Sequence, residues 1–310
     1  MKRYAAICPG CLLLSLFLGV MPAAGDPGDA KDPVATDVTA PAPEMHSLKY
    51  KFTPGETVRW NVEHRSHIKT TISGITQSAE SLSVSVKAWK ITDVDGAGNA
   101  TFEHSVESIR MRQKLSGRKE IAYDSLVDKD APPTFEAAAK SVGVTLTVVK
   151  MDAAGKVIER TDRQARPGGE DAPLTISLPS EVLPVGGEWS VPREIEVVLK
   201  DRPPQKIQTR QKYTLKEVKN GIAIIHAETQ ILSPVRHDPA IEAQLVQRET
   251  TGDIRFDIEA GRIVGQEIEL DKHVIGFAGE QSSLHCRTQF LENLLEDVPA
   301  TAGKNSSANQ

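Results

Sequence analysis

Cysteine is scarce in this chain, with three residues in 310. Cys8 and Cys11 lie before or at the start of an apolar leader, so only Cys286 stays after processing. One cysteine closes no intramolecular disulfide, and stability has to come from the core. Cys286 itself reads as a small buried hydrophobe. Long apolar runs are lacking as well: Leu12–Val20 is too short and wrongly flanked for a membrane-spanning helix. Basic clusters are missing, and the net charge is −5. Nucleic acid and anionic membrane surfaces are therefore not expected partners. Aromatics make up only 5% of the residues, so Trp60, Trp89 and Trp189 read as core anchors before sugar platforms.

Catalytic signatures are missing too. There is no Gly-x-Ser-x-Gly elbow, phosphate-binding glycine loop, His-Glu-x-x-His or dinucleotide fingerprint. No catalytic or cofactor-binding residue is nominated, no cofactor is expected, and the chain reads as a non-enzyme. Asp93-Val-Asp95-Gly-Ala-Gly-Asn99 has the opening of a calcium loop, but Ala97 and His104 occupy later ligand positions. A solvated hairpin turn accounts for the same residues. His64 and His67, three apart on a strand, face opposite sides. His226, His273 and His285 show no ligand spacing, and a metal site assembled in three dimensions stays open. His285 and Cys286 also face opposite sides, so their adjacency makes no dyad. Lys200–Lys206 reads as a solvated basic connection.

What is present is an export signal and a repeated strand grammar. Lys2 and Arg3, the apolar run and Met21-Pro-Ala-Ala-Gly25 form a signal-peptide pattern, with cleavage expected near Ala24 or Gly25. The product would be periplasmic or secreted. Removing residues 1–25 takes away two positive charges and no negative ones, which leaves −7. Residues 26–46 and 299–310 read as disordered tether and tail. Between them two β repeats are expected, 47–168 and 178–298, joined near Arg166–Pro173.

The repeats share three landmarks in one order. Gly55 and Gly186 each launch a strand carrying a tryptophan. Trp89-x-Ile91-x-Asp93-Val94 matches Tyr213-x-Leu215-x-Glu217-Val218, each followed by a glycine turn. Met151-Asp-Ala-Ala-Gly155-Lys-Val matches Phe256-Asp-Ile-Glu-Ala-Gly261-Arg-Ile. Leu82, Val84, Val86 and Ala88 alternate with polar residues, then the apolar face switches at Trp89, which signals a bulge. Short helices are expected over Asp130–Lys140 and His237–Leu245, and Ser282–Glu296 fits either helix or strand.

These repeated hairpins resemble a family of uncharacterised exported bacterial β-rich proteins. In architecture the chain resembles the periplasmic lipoprotein-carrier superfamily, which implies a half-barrel with helices over an apolar concavity. The expected fold is thus mainly β: antiparallel curved sheets or a half-barrel from two tandem meanders. The expected function is a non-catalytic binding module for an apolar ligand, such as a lipid, or for an envelope component. The alternative is a protein-interaction scaffold of the cell envelope, with an envelope protein as partner.

Overall fold

The computed structural model describes residues 43–164, 174–199, 202–235 and 238–296. The leader, most of the tether, the linker near Arg166–Pro173 and the tail lie outside the described residues. The chain runs β1 (Met45–His46), β2 (Thr57–Ile72), β3 (Ile75–Val94), β4 (Ala100–Leu115), β5 (Ile121–Asp124), α1 (Glu136–Ala139), β6 (Thr145–Met151) and β7 (Val157–Asp162). It continues with β8 (Leu183–Pro184), β9 (Glu188–Val197), β10 (Gln205–Lys219), β11 (Ile222–Ile231), α2 (Pro239–Leu245), β12 (Thr251–Asp257), β13 (Arg262–Ile275) and β14 (Ser283–Leu294). Met45 and His46, read as tether, form β1 and pair with β8.

The mainly β character and the short helices agree with the sequence. The curved sheet and the half-barrel do not. Twelve strands form one sheet in the order β7-β6-β4-β3-β2-β14-β13-β12-β11-β10-β9, with β5 on β4, and β1 and β8 pair separately. This path ends at two free edges, β7 and β9, so the sheet is open. The physical reason is β14, which pairs with β13 on one side and with β2 on the other. That extra strand welds the two meanders edge to edge, and β7 finds no β9 to pair with.

The repeat is written in backbone hydrogen bonds. Gly55 N–H donates to Ile91 O at 2.9 Å, and Ile91 N–H to Glu56 O at 2.9 Å. Gly186 N–H donates to Leu215 O at 2.7 Å, and Leu215 N–H to Gly187 O at 2.9 Å. Register shifts fall at matching places, Ile91/Asp93 and Leu215/Glu217, then Lys150/Met151 and Arg255/Phe256. The expected switch of apolar face has its own shift, between Val86 and Lys87. Two hairpins turn through paired positive φ angles, Ser73-Gly74 and Asn220-Gly221, which gives the twist that long strands require.

The segment after β1 ties the repeats together. Tyr50 N–H donates to Ala153 O at 2.8 Å and Lys51 N–H to Gly261 O at 3.0 Å, one tip from each repeat. Both repeats feed one core, with Trp60, Trp89 and Phe102 from the first and Leu215, Ile254 and Phe256 from the second. Helix α2 opens on Asp238, whose carboxylate accepts from Ala240 N–H at 2.9 Å, an N-cap followed by proline. Ile241 and Leu245 pack with Val197 and Ile207 of β9 and β10, while Ala243 packs with β13 and β14 residues. The first expected helix shrinks to four residues, because Pro132 already sits in a turn and no side chain caps the start. Ser283–Leu294 is strand: Leu284 and Cys286 turn inward while Arg287 faces solvent.

Candidate functional site

The two faces of β2 divide the work. Trp60 and Val58 enter the core, while Arg65 and His67 project from the opposite face and are exposed. The tight turn after Ile72 locks β2 and β3 in register over their whole length without a shift. Opposed residues point to one face, so the register builds two rows across four strands. Gln289, Arg65, Leu82 and Arg112 form one; Arg287, His67, Glu80 and Lys114 form the other. Neighbouring strands lie about 4.8 Å apart and the rows about 7 Å. After β4 the chain doubles back, and Glu120 ahead of β5 stands at one end.

These rows line an open groove of about 400 Å³, with Ser66, Ser81 and Gln113 at its margin. Four fully charged cations face two carboxylates, Glu80 and Glu120, on a chain whose net charge is negative. Three of the cations are held by carboxylates. Arg65 bonds Glu63, Arg112 reaches Glu120 at 3.8 Å, and Arg287 reaches Asp271 at 2.6 Å. His285 and Arg287 together hold the Asp271 carboxyl below the usual range. The Lys114 and His67 side chains have no ion-pair or hydrogen-bond partner among the described residues.

A second polar group lies inside the core. Lys87 Nζ meets Glu292 Oε2 at 2.6 Å and sits 4.5 Å from the Trp60 ring centroid and 5.2 Å from that of Trp89. Glu292 also accepts from Gln266 Nε2 at 3.1 Å. Beside it Trp89 Nε1, His104 Nδ1 and Arg160 Nη2 are buried without a protein partner. Burial, and then the Lys87 charge, push His104 down to about 4. The void beside Lys87 and Glu292 is about 10 Å³, room for about one water.

The register also creates an arrangement that no spacing revealed. His226 stands opposite Asp253, and its Nδ1 lies 2.7 Å from Asp253 Oδ1. Its Nε2 lies 3.4 Å from Thr251 Oγ1. Partial burial pushes Asp253 up, but the bonds from His226 and Lys216 outweigh it and hold its carboxyl low. This Asp-His-Thr string lies along a paired sheet face. Among the described residues the strand amides around it are engaged in ladders with β10, β12 and β13.

The other candidates separate. Asp95 accepts from its own turn, at Ala97 N–H and Asn99 N–H, and pairs with Lys150 at 3.0 Å. Its oxygens serve the hairpin. His64 and His67 lie on opposite faces, in line with Phe290 and Arg287 respectively. The His273 and His285 rings lie tilted with centroids 5.7 Å apart, and His285 is bonded to Asp271. Among the described residues no group of three histidines, cysteines or acids is placed to hold a metal. Cys286 is fully buried, and burial, then Asp271, push its thiol up. Trp60 and Trp89 are core residues and Trp189 stacks on Tyr213 at 5.2 Å. Lys200 lies outside the described residues, while Arg202 pairs with Asp238.

No family model matches the chain, and no curated protein matches it. Among solved structures it is similar to lipovitellin, solved for its lipid–protein interactions, at 12% identity and a TM-score of 0.43, over 81% of this chain and 26% of that one. It is also similar to Pseudomonas aeruginosa OpdQ at 7% identity and a TM-score of 0.19, over 77% of this chain and 99% of that one. The chain thus spans about a quarter of the lipovitellin chain. Both scores describe a loose likeness of antiparallel sheet and assign no family, ligand or activity. Among the described residues no helix is long and apolar enough to cross a membrane.

Proposed function

We propose that this chain is an exported, non-catalytic binding module whose binding surface is the groove across β14, β2, β3 and β4. One observation carries this reading: four cations converge on an open groove of about 400 Å³ in a chain of net charge −5. Arg65, Arg112 and Arg287 already hold carboxylates, so an anion would enter by exchanging with these exposed, weakly held pairs and by meeting Lys114, not through an excess of positive charge. The void beside Trp60 and Trp89 is about 10 Å³, too small to hold an apolar ligand there. An anionic component of the cell envelope fits the groove, and export fits the leader pattern. The catalytic alternative rests on the string at His226, which has no nucleophile elbow.

Retention of the purified protein on a carboxylated resin, eluted with salt, tests the reading. Arg65→Glu/Arg112→Glu should elute at markedly lower salt, and Lys206→Glu/Lys216→Glu, remote from the groove, should change less. Equal shifts for both pairs would show nonspecific charge and overturn it. Ester hydrolysis abolished by His226→Ala would overturn its non-catalytic part.

A further inference from the structure

We infer that the groove takes an acidic oligosaccharide, bound through its carboxylates and its hydroxyls together; this rests on the binding role proposed above. The groove is not a simple anion trap. Glu80 stands directly between His67 and Lys114 in its row, and Glu120 faces Arg112. Sulfate offers these carboxylates no donor, and phosphate offers only one or two P–OH groups while its charge is repelled by both carboxylates. A sugar acid supplies both partners: its carboxylate takes the bidentate fork of an arginine, and its hydroxyls donate to Glu80 and Glu120.

The remaining lining suits the same chemistry. Ser66 and Ser81 line the groove only through their backbone, because their hydroxyls bond each other at 2.8 Å on the opposite face of the sheet. Gln289 adds an amide beside Arg65, and Leu82 puts an apolar contact in the middle of the row. The spacing favours a chain over a single sugar. Arg65 and Arg112 lie two strands apart, about 10 Å along the row, so one residue cannot satisfy both, and successive acidic units along a polymer can. No Trp, Tyr or Phe lines the groove, so stacking contributes little and binding should weaken steeply with salt.

Calorimetry on the full chain tests this with four probes: a short oligogalacturonate, the same oligomer with its carboxylates reduced, inorganic phosphate, and phosphatidylglycerol vesicles. The expected result is binding of the oligogalacturonate alone. Arg65→Glu/Arg112→Glu should weaken it at least tenfold, and Glu80→Ala by about tenfold, the worth of a charged hydrogen bond. These side chains are exposed, and unchanged circular dichroism confirms that the variants fold. Glu80→Ala tightening the oligogalacturonate would overturn the mixed recognition. Phosphate or vesicles bound through the arginines, with the oligosaccharide ignored, would overturn the sugar and keep the anion-binding groove. Binding of no probe, or binding indifferent to the arginine variant, would overturn both.

Discussion

Removing Lys87 should destabilise this protein more than almost any other single change to a charged residue. Its ammonium and the Glu292 carboxylate meet at 2.6 Å, with side-chain exposures of 15% and 4%. In Lys87→Met the aliphatic stem stays, but Glu292 keeps only the Gln266 amide for its charge. An unpaired buried carboxylate of this kind costs about 3–5 kcal/mol. The lost cation–π contacts with Trp60 and Trp89 add at most about 2 kcal/mol. The double variant Lys87→Met/Glu292→Leu removes both charges, and apolar replacement of a buried pair is neutral to stabilising by about 1–4 kcal/mol. It should therefore recover most of the loss. Urea unfolding followed by tryptophan fluorescence reads this directly, since two of the three tryptophans touch Lys87. A loss under about 1 kcal/mol in Lys87→Met would refute the burial argument. A double variant as unstable as the single would show that packing, not the stranded charge, carries the effect.

Three further outcomes follow from the same physics. His104 is depressed from 6.5 to about 4, chiefly by burial, so its contribution is present above pH 6.5 and lost as the pH falls towards 4. That loss is roughly 3 kcal/mol, and His104→Gln should flatten the stability profile across the window. Glu242 is raised to about 7, by burial first and then by Glu249, so it contributes below pH 4.5 and loses that as the pH rises through 7. Glu242→Gln should then stabilise the protein at pH 8 by roughly 1–2 kcal/mol, after allowance for its exposure. A Cβ on Gly155 would meet Ile176 O at 2.5 Å, and one on Gly261 would meet Lys51 at 2.5 Å, both at positive φ. Alanine there should cost more than Gly55→Ala, where φ is positive but the space is open and the strain alone is about 1–2 kcal/mol; equal thermal shifts would show that the strap does not press on the tips.

Local grammar carried much of the fold. The Asn220-Gly221 turn, the bulge near Trp89 and the paired Asp…Ala-Gly hairpins were all legible, because turns and alternation depend on neighbours in sequence. The sheet's closure was not legible, because it depends on which strand β14 meets. Leu284, Thr288 and Leu291 fit a helix face as well as a strand until β2 and β13 bracket them. The groove was hidden for the same reason. Arg65, Arg112 and Arg287 are scattered across 220 residues and look like ordinary solvent-facing charge until the register sets them side by side. Glu80 and Glu120, equally scattered in sequence, become its acceptors. His226 and Asp253 were likewise unrelated in sequence and meet only as opposed residues of β11 and β12.

The location of binding is the most direct test of the central claim. Amide chemical shifts of the isotope-labelled protein, followed during titration with a short oligogalacturonate at low salt, report it residue by residue. The perturbed amides should cluster in the two rows centred on Arg65 and His67, with Arg112, Lys114 and Arg287 among them, and the shifts should collapse at high salt. Perturbations confined to the β7 or β9 edge, or to α2, would contradict it.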